Sequence, residues 1–264
     1  MGSFAYDSSF YGTYAQVSIN SAREVLAVVQ SAVNPRSVVD VGCGVGTWLS
    51  VWRDLGIDDI EGIDGAYVKR KDLLISPDRF RAMDLEVPTK LTRHFDLVQS
   101  LEVAEHLPQR SADSFISFLC SLGPVVLFSA AIPYQGGTSH INEQWPEYWA
   151  ALFLRQGYLP VDIIRDHVWD NPNVAYYYAQ NTFLFVHSDR FETLGNNLRE
   201  SPLVPMCNAL SRVHPRKWCE RNRECLPLES LIKMLPLSSW HFALRALHGT
   251  HKALSRSWAH TKGS

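Results

Sequence analysis

Cysteine is scarce in this chain and shows no pairing pattern. Its five cysteines, Cys43, Cys120, Cys207, Cys219 and Cys225, make an odd count without a CxxC. Neither a disulfide framework nor a zinc knuckle is therefore expected, and a reducing cytoplasm is the expected compartment. No run of about 18 apolar residues exists, so no transmembrane segment is expected. The opening MGSFAYDSSFYGTY lacks the basic and apolar regions of a secretory leader. Tyr6 stands where a myristoylation signal needs Ser or Thr. Neither sign of charge dominates, with 25 Lys+Arg against 27 Asp+Glu, which argues against a nucleic-acid partner held by bulk electrostatics. Internal repeats and low-complexity segments are also missing. What remains is 264 residues, 46% hydrophobic, enough to bury the core of one large domain.

The charge is unevenly spread. Residues 199–264 hold 11 Lys+Arg and 4 Asp+Glu, against 14 and 23 in residues 1–198. This shift separates a main domain (20–198) from a basic, proline-interrupted extension (199–264). The tyrosine-rich residues 1–19, ahead of the first expected helix, are expected to form an N-terminal lid segment. The main domain alternates short apolar runs with helical stretches. SVVDV (37–41), DIEGID (59–64), FDLVQS (95–100), PVVLFSA (124–130) and NTFLFV (181–186) read as strands. Residues 20–33, 47–55, 111–122 and 143–156 read as helices between them. Such alternation gives an α/β fold, a largely parallel sheet covered on both faces. The last two strands, 158–165 and 181–186, are joined by a loop through Asn171 and Pro172, so they are expected to pair antiparallel at the sheet edge. In the extension, residues from Ser238 to about His260 have helical spacing and a basic face, either a peripheral helix or a membrane-surface one.

The most specific pattern is VVDVGCGVGTW, residues 38–48. A buried strand runs into glycines at 42, 44 and 46, where the backbone must turn sharply and approach a ligand without a Cβ in the way. Dinucleotide sites use GxGxxG in the same setting. Here the spacing is GxGxG, with Asp40 in the strand end and Asp64 ending the next strand, where a carboxylate can accept both hydroxyls of a ribose. These residues, with Asp84 in AMDLE, resemble the class I S-adenosylmethionine-dependent methyltransferases over roughly residues 20–187. The resemblance implies a Rossmann-like seven-stranded mixed sheet with the last strand antiparallel. It also implies a cofactor site of Asp40, Gly42, Cys43, Gly44, Asp64, Asp84, Leu85 and Leu101 for S-adenosylmethionine.

SLEVAEHLP (100–108) follows the fourth strand, and GGTSHINEQW (136–145) follows the fifth. On a helix, Glu102, Glu105 and His106 would share one face. Both segments leave the carboxyl edge of the sheet, so two carboxylates and two imidazoles, with His140, can converge there. The set suits an octahedral ion such as Mg²⁺ or Mn²⁺. It looks like the ExxEH-plus-distal-His site of ubiquinone-pathway O-methyltransferases and of small-RNA 2′-O-methyltransferases, which implies Glu102, Glu105, His106 and His140 as ligands. The plainer alternatives are acids meeting a helix N-terminus and a His140 that merely caps the next helix. Without an ion, His140 is the candidate general base, with Glu105 and Tyr176 as further candidate catalytic residues. Tyr176, Tyr177 and Tyr178, with Tyr6, Tyr11 and Tyr14, offer electron-rich rings to a sulfonium, or simply core packing.

SAAIPYQGGTSHINEQWPEYW, DHVWDNPNVAYYYAQN and SRVHP also look like a bacterial methyltransferase subgroup that accompanies glycan and secondary-metabolite clusters. The expected reaction is methyl transfer from S-adenosylmethionine to an oxygen, less readily a nitrogen, of a small molecule or sugar. Two alternatives differ in kind. One is cyclisation of the cofactor itself to azetidine-2-carboxylate and methylthioadenosine. The other is a non-catalytic module that only binds the cofactor or a partner.

Overall fold

The computed structural model describes residues 8–191 and 210–217, with side chains from residue 16 onward. Its elements in chain order are α1 (Ser8–Val33), β1 (Ser37–Val41), α2 (Thr47–Asp54), β2 (Asp59–Asp64), β3 (Phe80–Ala82), β4 (Leu97–Leu101) and α3 (Ala112–Leu122). There follow β5 (Val125–Ser129), α4 (Pro146–Arg155), β6 (Tyr158–Val161), α5 (Arg165–Val168), α6 (Tyr176–Asn181), β7 (Phe183–His187) and α7 (Ser188–Phe191). The strands form one sheet in the order β3-β2-β1-β4-β5-β7-β6. The first five lie parallel, and β7 inserts antiparallel between β5 and β6. The chain steps outward from β1 through β2 to β3, then restarts beside β1 with β4. That reversal opens a crevice at the carboxyl ends of β1 and β4, where ligands of open α/β sheets bind.

Alternation along the strands splits the core in two. Val38, Val125, Leu127 and Leu184 pack with α1 and α2 residues such as Leu26, Leu49 and Trp52. Val39, Val41, Val126, Phe128 and Phe185 pack on the other face with α3 and α4, through Phe115, Trp149 and Phe153. Phe153 stacks on Phe185 at 3.9 Å between centroids. With both faces covered, the strands read as continuous apolar runs, which is why they were visible in sequence.

Several local expectations change. The first helix begins at Ser8 rather than Asn20, so residues 8–19 continue α1 instead of forming a separate lid. Strand β3 was missed because two of its three residues are exposed and it presents no apolar run. The stretch around Asn171, read as loop, carries the short helices α5 and α6. Residues 104–106 form a single 3₁₀ turn rather than the start of a regular helix. The main unit also extends past the compositional boundary at 198/199, through Lys217. Leu210, in the returning segment, is buried in the α3–α4 side of the core. Tyr6, Cys207, Cys219, Cys225 and the helix expected from Ser238 lie outside the described residues.

Candidate active site

The glycine loop is shaped by backbone hydrogen bonds across the β1–β2 pair. The Gly42 and Cys43 N–H groups both donate to the Ile63 carbonyl, at 2.7 and 3.2 Å. Gly42, Gly44 and Gly46 all have positive φ, a region L-residues rarely enter. Gly42 also has a packing reason: a Cβ there would lie 2.3 Å from the Val103 side chain. At Gly44 no atom lies within 4 Å of such a Cβ, so that glycine leaves open space for a ligand.

Asp64 closes this half of the crevice. One of its oxygens accepts from the Gly44 N–H at 2.6 Å. The other accepts from the Gly65 N–H at 2.6 Å and from the Tyr67 hydroxyl. No sequence pattern points to Tyr67, which folds back over Gly65 although its side chain is largely exposed. Asp40 lies beneath, buried, and its pKa is pushed up to about 8, first by loss of solvent and then by the Asp64 charge. Burial also raises the Cys43 thiol well above its usual range, so it is an inert neighbour of the loop rather than a nucleophile.

A crevice of about 960 Å³ runs from Gly42, Gly44, Asp64 and Tyr67 past Asp84 and Leu85 to Glu102, His106, Thr138 and Ser139. Of the expected cofactor residues, Gly42, Gly44, Asp64, Asp84 and Leu85 line it. Asp40 and Leu101, in the buried strand ends, and Cys43, in the loop, lie behind the lining.

The other half is built from side chains. Glu102 leaves β4 with φ 54°, and its N–H donates to the Ser129 carbonyl at 3.0 Å. Its carboxylate accepts from the Gln135 amide at 2.8 Å and the Asn181 amide at 3.1 Å. Burial raises its pKa, and the amide donors oppose that rise. Glu105 is fully buried, and neither carboxylate oxygen has a hydrogen-bond partner among the described residues. Its pKa stands well above normal, because of burial first and then the nearby Glu102. The Glu105 carbonyl accepts from the Ile141 and Asn142 N–H groups, pinning the 131–145 loop over the turn. His106 and His140 meet edge to face at 4.9 Å. Burial, then the His140 charge, lowers the His106 pKa.

Glu105, His106 and His140 bring one ligand atom each within 4.8 Å of one another. Glu102 lies outside that group, and its oxygens accept from Gln135 and Asn181. The expectation of one helical face is corrected as well: φ 54° at Glu102 and a lone 3₁₀ turn separate it from Glu105 and His106. His140 is fixed from behind, its Nδ1 3.0 Å from Glu143 Oε1. Glu143 also accepts from the Tyr134 and Gly136 N–H groups, and a Cβ at Gly137 would lie 2.2 Å from His140 Nε2. Tyr176 falls elsewhere than expected. Its ring packs with Tyr177 and His214, under Lys217 Nζ at 5.6 Å, and it does not line the crevice. Two positions on along α6, Tyr178 is the buried one, edge-on to Trp48 at 4.9 Å. Gln135, Asn181 and Glu143 were missed in sequence: Asn181 borders the apolar run of β7, while Gln135 and Glu143 lie in polar loop sequence that carries no signal.

A family model described as a methyltransferase domain matches residues 14–158, more than half of the chain. No curated protein matches significantly. Among solved structures, Streptomyces venezuelae DesVI is similar with a TM-score of 0.52 and 14% identity, over 70% of this chain and 100% of that one. The methyltransferase domain of a bacterial CtHen1 gives 0.46 and 20% identity, over 63% and 98%. The magnesium protoporphyrin IX methyltransferase of Synechocystis PCC 6803, with bound S-adenosylhomocysteine, gives 0.47 and 19%, over 71% and 90%. DesVI shares the fold, and the family match covers the glycine loop, Asp64, Glu102 and His140. The chain belongs to the class I S-adenosylmethionine-dependent methyltransferases.

Proposed function

We propose that this enzyme methylates an oxygen of a small-molecule or sugar acceptor, with a divalent cation held by Glu105, His106 and His140. The observation behind this reading is Glu105, whose buried carboxylate sits beside two imidazoles and, among the described residues, has only the backbone N–H groups of Glu105 and Ala131 acting on it, with no side-chain partner. A carboxylate so placed is strongly unfavourable unless it is protonated or meets a cation. One carboxylate and two imidazoles suit Mn²⁺ better than Mg²⁺. When bound, such an ion would act as a Lewis acid on the acceptor hydroxyl.

The protein's own groups have distinct tasks. The lowered pKa of His106 keeps its imidazole neutral and its lone pair available near pH 7. Glu143 fixes the orientation of His140, as carboxylates behind ligand histidines do. Glu102 faces the crevice between the glycine loop and His106, and its raised pKa suits it to accept the acceptor's proton. With S-adenosylmethionine bound, the acceptor oxygen would bond the methyl carbon as the carbon–sulfur bond breaks, S-adenosylhomocysteine leaving with that electron pair and the hydroxyl proton passing to Glu102. The crevice continues past the cofactor acids to His106 and Thr138, leaving room for a second molecule and favouring transfer over cyclisation.

The test is turnover on a panel of sugars and phenols, before and after chelation. S-adenosylhomocysteine should form, its rate should fall with chelator, and Mn²⁺ should restore it. Full rates in excess chelator would remove the ion from the mechanism. Methylthioadenosine from cofactor alone would replace transfer by cyclisation.

A further inference from the structure

The returning segment from Leu210 to Lys217 reaches the active site through a chain of side-chain amides. The His214 N–H donates to Gln180 Oε1 at 2.8 Å. Gln180 Nε2 then faces Asn181 Oδ1 at 2.9 Å and Gln135 Oε1 at 3.4 Å. Asn181 Nδ2 donates to Gln135 Oε1 at 2.9 Å and to Glu102 Oε1 at 3.1 Å. Gln135 Nε2 completes the chain on Glu102 Oε2 at 2.8 Å. Gln135, Gln180 and Asn181 are each no more than 5% exposed.

A primary amide can turn end for end, offering oxygen where it offered nitrogen. A backbone N–H cannot; it is a donor only. The His214 N–H therefore fixes Gln180 with its oxygen outward and its nitrogen inward. That nitrogen requires oxygens from Asn181 and Gln135, which leaves both of their nitrogens for Glu102. Turning Gln180 would set oxygen against oxygen and propagate until carbonyls faced the Glu102 carboxylate. Glu102 occupies a backbone region that surrounding contacts must enforce; Ser129 holds its backbone N–H, and the relay supplies the two amide donors on its carboxylate.

The segment is anchored well away from the crevice. Arg165 donates to the Leu210 carbonyl at 2.6 Å and pairs with the buried Asp162. The Ser211 N–H donates to one Glu147 oxygen at 2.9 Å, and the Ser211 hydroxyl, which alanine would remove, donates to the other at 2.5 Å. Arg212 pairs with Asp166 at 2.6 Å, and His214 Nε2 lies 2.7 Å from the Trp169 carbonyl. We infer that the Leu210–Lys217 segment is a positioning element of the active site, setting the donor direction of the Gln180–Asn181–Gln135 relay that holds Glu102. The inference uses the proton-accepting role of Glu102 given above only for its kinetic consequence; the placement of Glu102 stands apart from that role.

Gln180→Met and Gln180→Glu separate the possibilities. In crystals with S-adenosylhomocysteine, Met should release the Glu102 side chain, and Glu, which keeps an acceptor for His214 but lacks the inward donor, should displace it further. On any acceptor that turns over, kcat should fall about 10- to 100-fold with cofactor Kd nearly unchanged. Should Gln180→Met not fold, Ser211→Ala with Arg212→Ala loosens the segment from its outer side, and the same displacement is expected. Glu102 unmoved in a folded Gln180 variant, or in the double variant if neither folds, would overturn the inference. So would a loss of kcat that merely follows cofactor affinity. A moved Glu102 with unchanged kcat would keep the relay and remove Glu102 as the proton acceptor.

Discussion

The two halves of the crevice are built by different means. The cofactor half is backbone: positive-φ glycines, peptide N–H groups and one strand-end carboxylate, all within residues 40–65. The acceptor half is side chains gathered from residues 102–106, 135–143 and 180–181, backed by the His214 backbone N–H. Backbone geometry leaves a contiguous motif, because only certain residues can adopt it. A side-chain cluster leaves scattered polar residues whose partners are unknown until the chain is folded. The first half should therefore fail through conformation and stability, and the second through chemistry with little loss of stability.

The largest effect tests the backbone half. Gly42→Ala combines a positive φ with a Cβ 2.3 Å from Val103. Left-handed backbone and overpacking together should lower stability by about 2–5 kcal/mol. Urea unfolding measures this directly. Gly44→Ala is the matched control, since a Cβ there meets nothing. It should lose only about 1–2 kcal/mol of stability, from its backbone conformation, while weakening cofactor affinity measured by calorimetry. Equal stability losses for the two would break the distinction between packing and ligand space.

The next effect has the opposite sign and tests the side-chain half. Glu105→Gln replaces a buried carboxyl group that has no side-chain partner among the described residues with a neutral amide of similar shape. Metal-free protein should gain about 1–3 kcal/mol of stability, and Mn²⁺ binding measured by calorimetry should be lost. Lower stability for this variant would mean that the carboxyl group is structural.

How much of this was legible follows the same division. The sheet, its antiparallel β7 and the residues Gly42, Gly44 and Asp64 were readable because apolar runs and glycine spacing are local signals. Glu105, His106 and His140 were readable as types at a plausible edge of the sheet. Their separation from Glu102 was not, because it follows from a positive φ at Glu102 and a lone 3₁₀ turn, and the amides of Gln135 and Asn181 that meet Glu102 are 33 and 79 residues away from it. Tyr176 was misplaced for a related reason: three consecutive tyrosines on one turn of helix face three directions, and sequence does not say which faces the core.

A smaller effect concerns pH. The Asp40 pKa is raised from 3.8 to about 8 in the folded protein, so the folded state holds a proton that the unfolded state has released. Stability is therefore highest below pH 4 as far as this group is concerned, and it falls as pH rises towards 8. The slope is at most about 1.4 kcal/mol per pH unit. Asp40→Asn should flatten that slope in thermal melts across this window. An unchanged slope would assign it to other groups.

The smallest effect sharpens the comparison where the backbone half borrows a side chain. Tyr67 donates to the same Asp64 oxygen that Gly65 does, which is where a ribose hydroxyl would bind. Its hydroxyl therefore competes with the ribose and must swing away, and an exposed ring can do so easily. Tyr67→Phe keeps the ring over Gly65 and removes only the competing donor. The bond it loses has a charged acceptor but lies near solvent, so the net gain is small. Cofactor affinity should rise about two- to fivefold, equivalent to about 0.4–1 kcal/mol. If affinity falls instead, the Tyr67 hydroxyl contributes to the bound state, and the backbone half depends on a side chain after all.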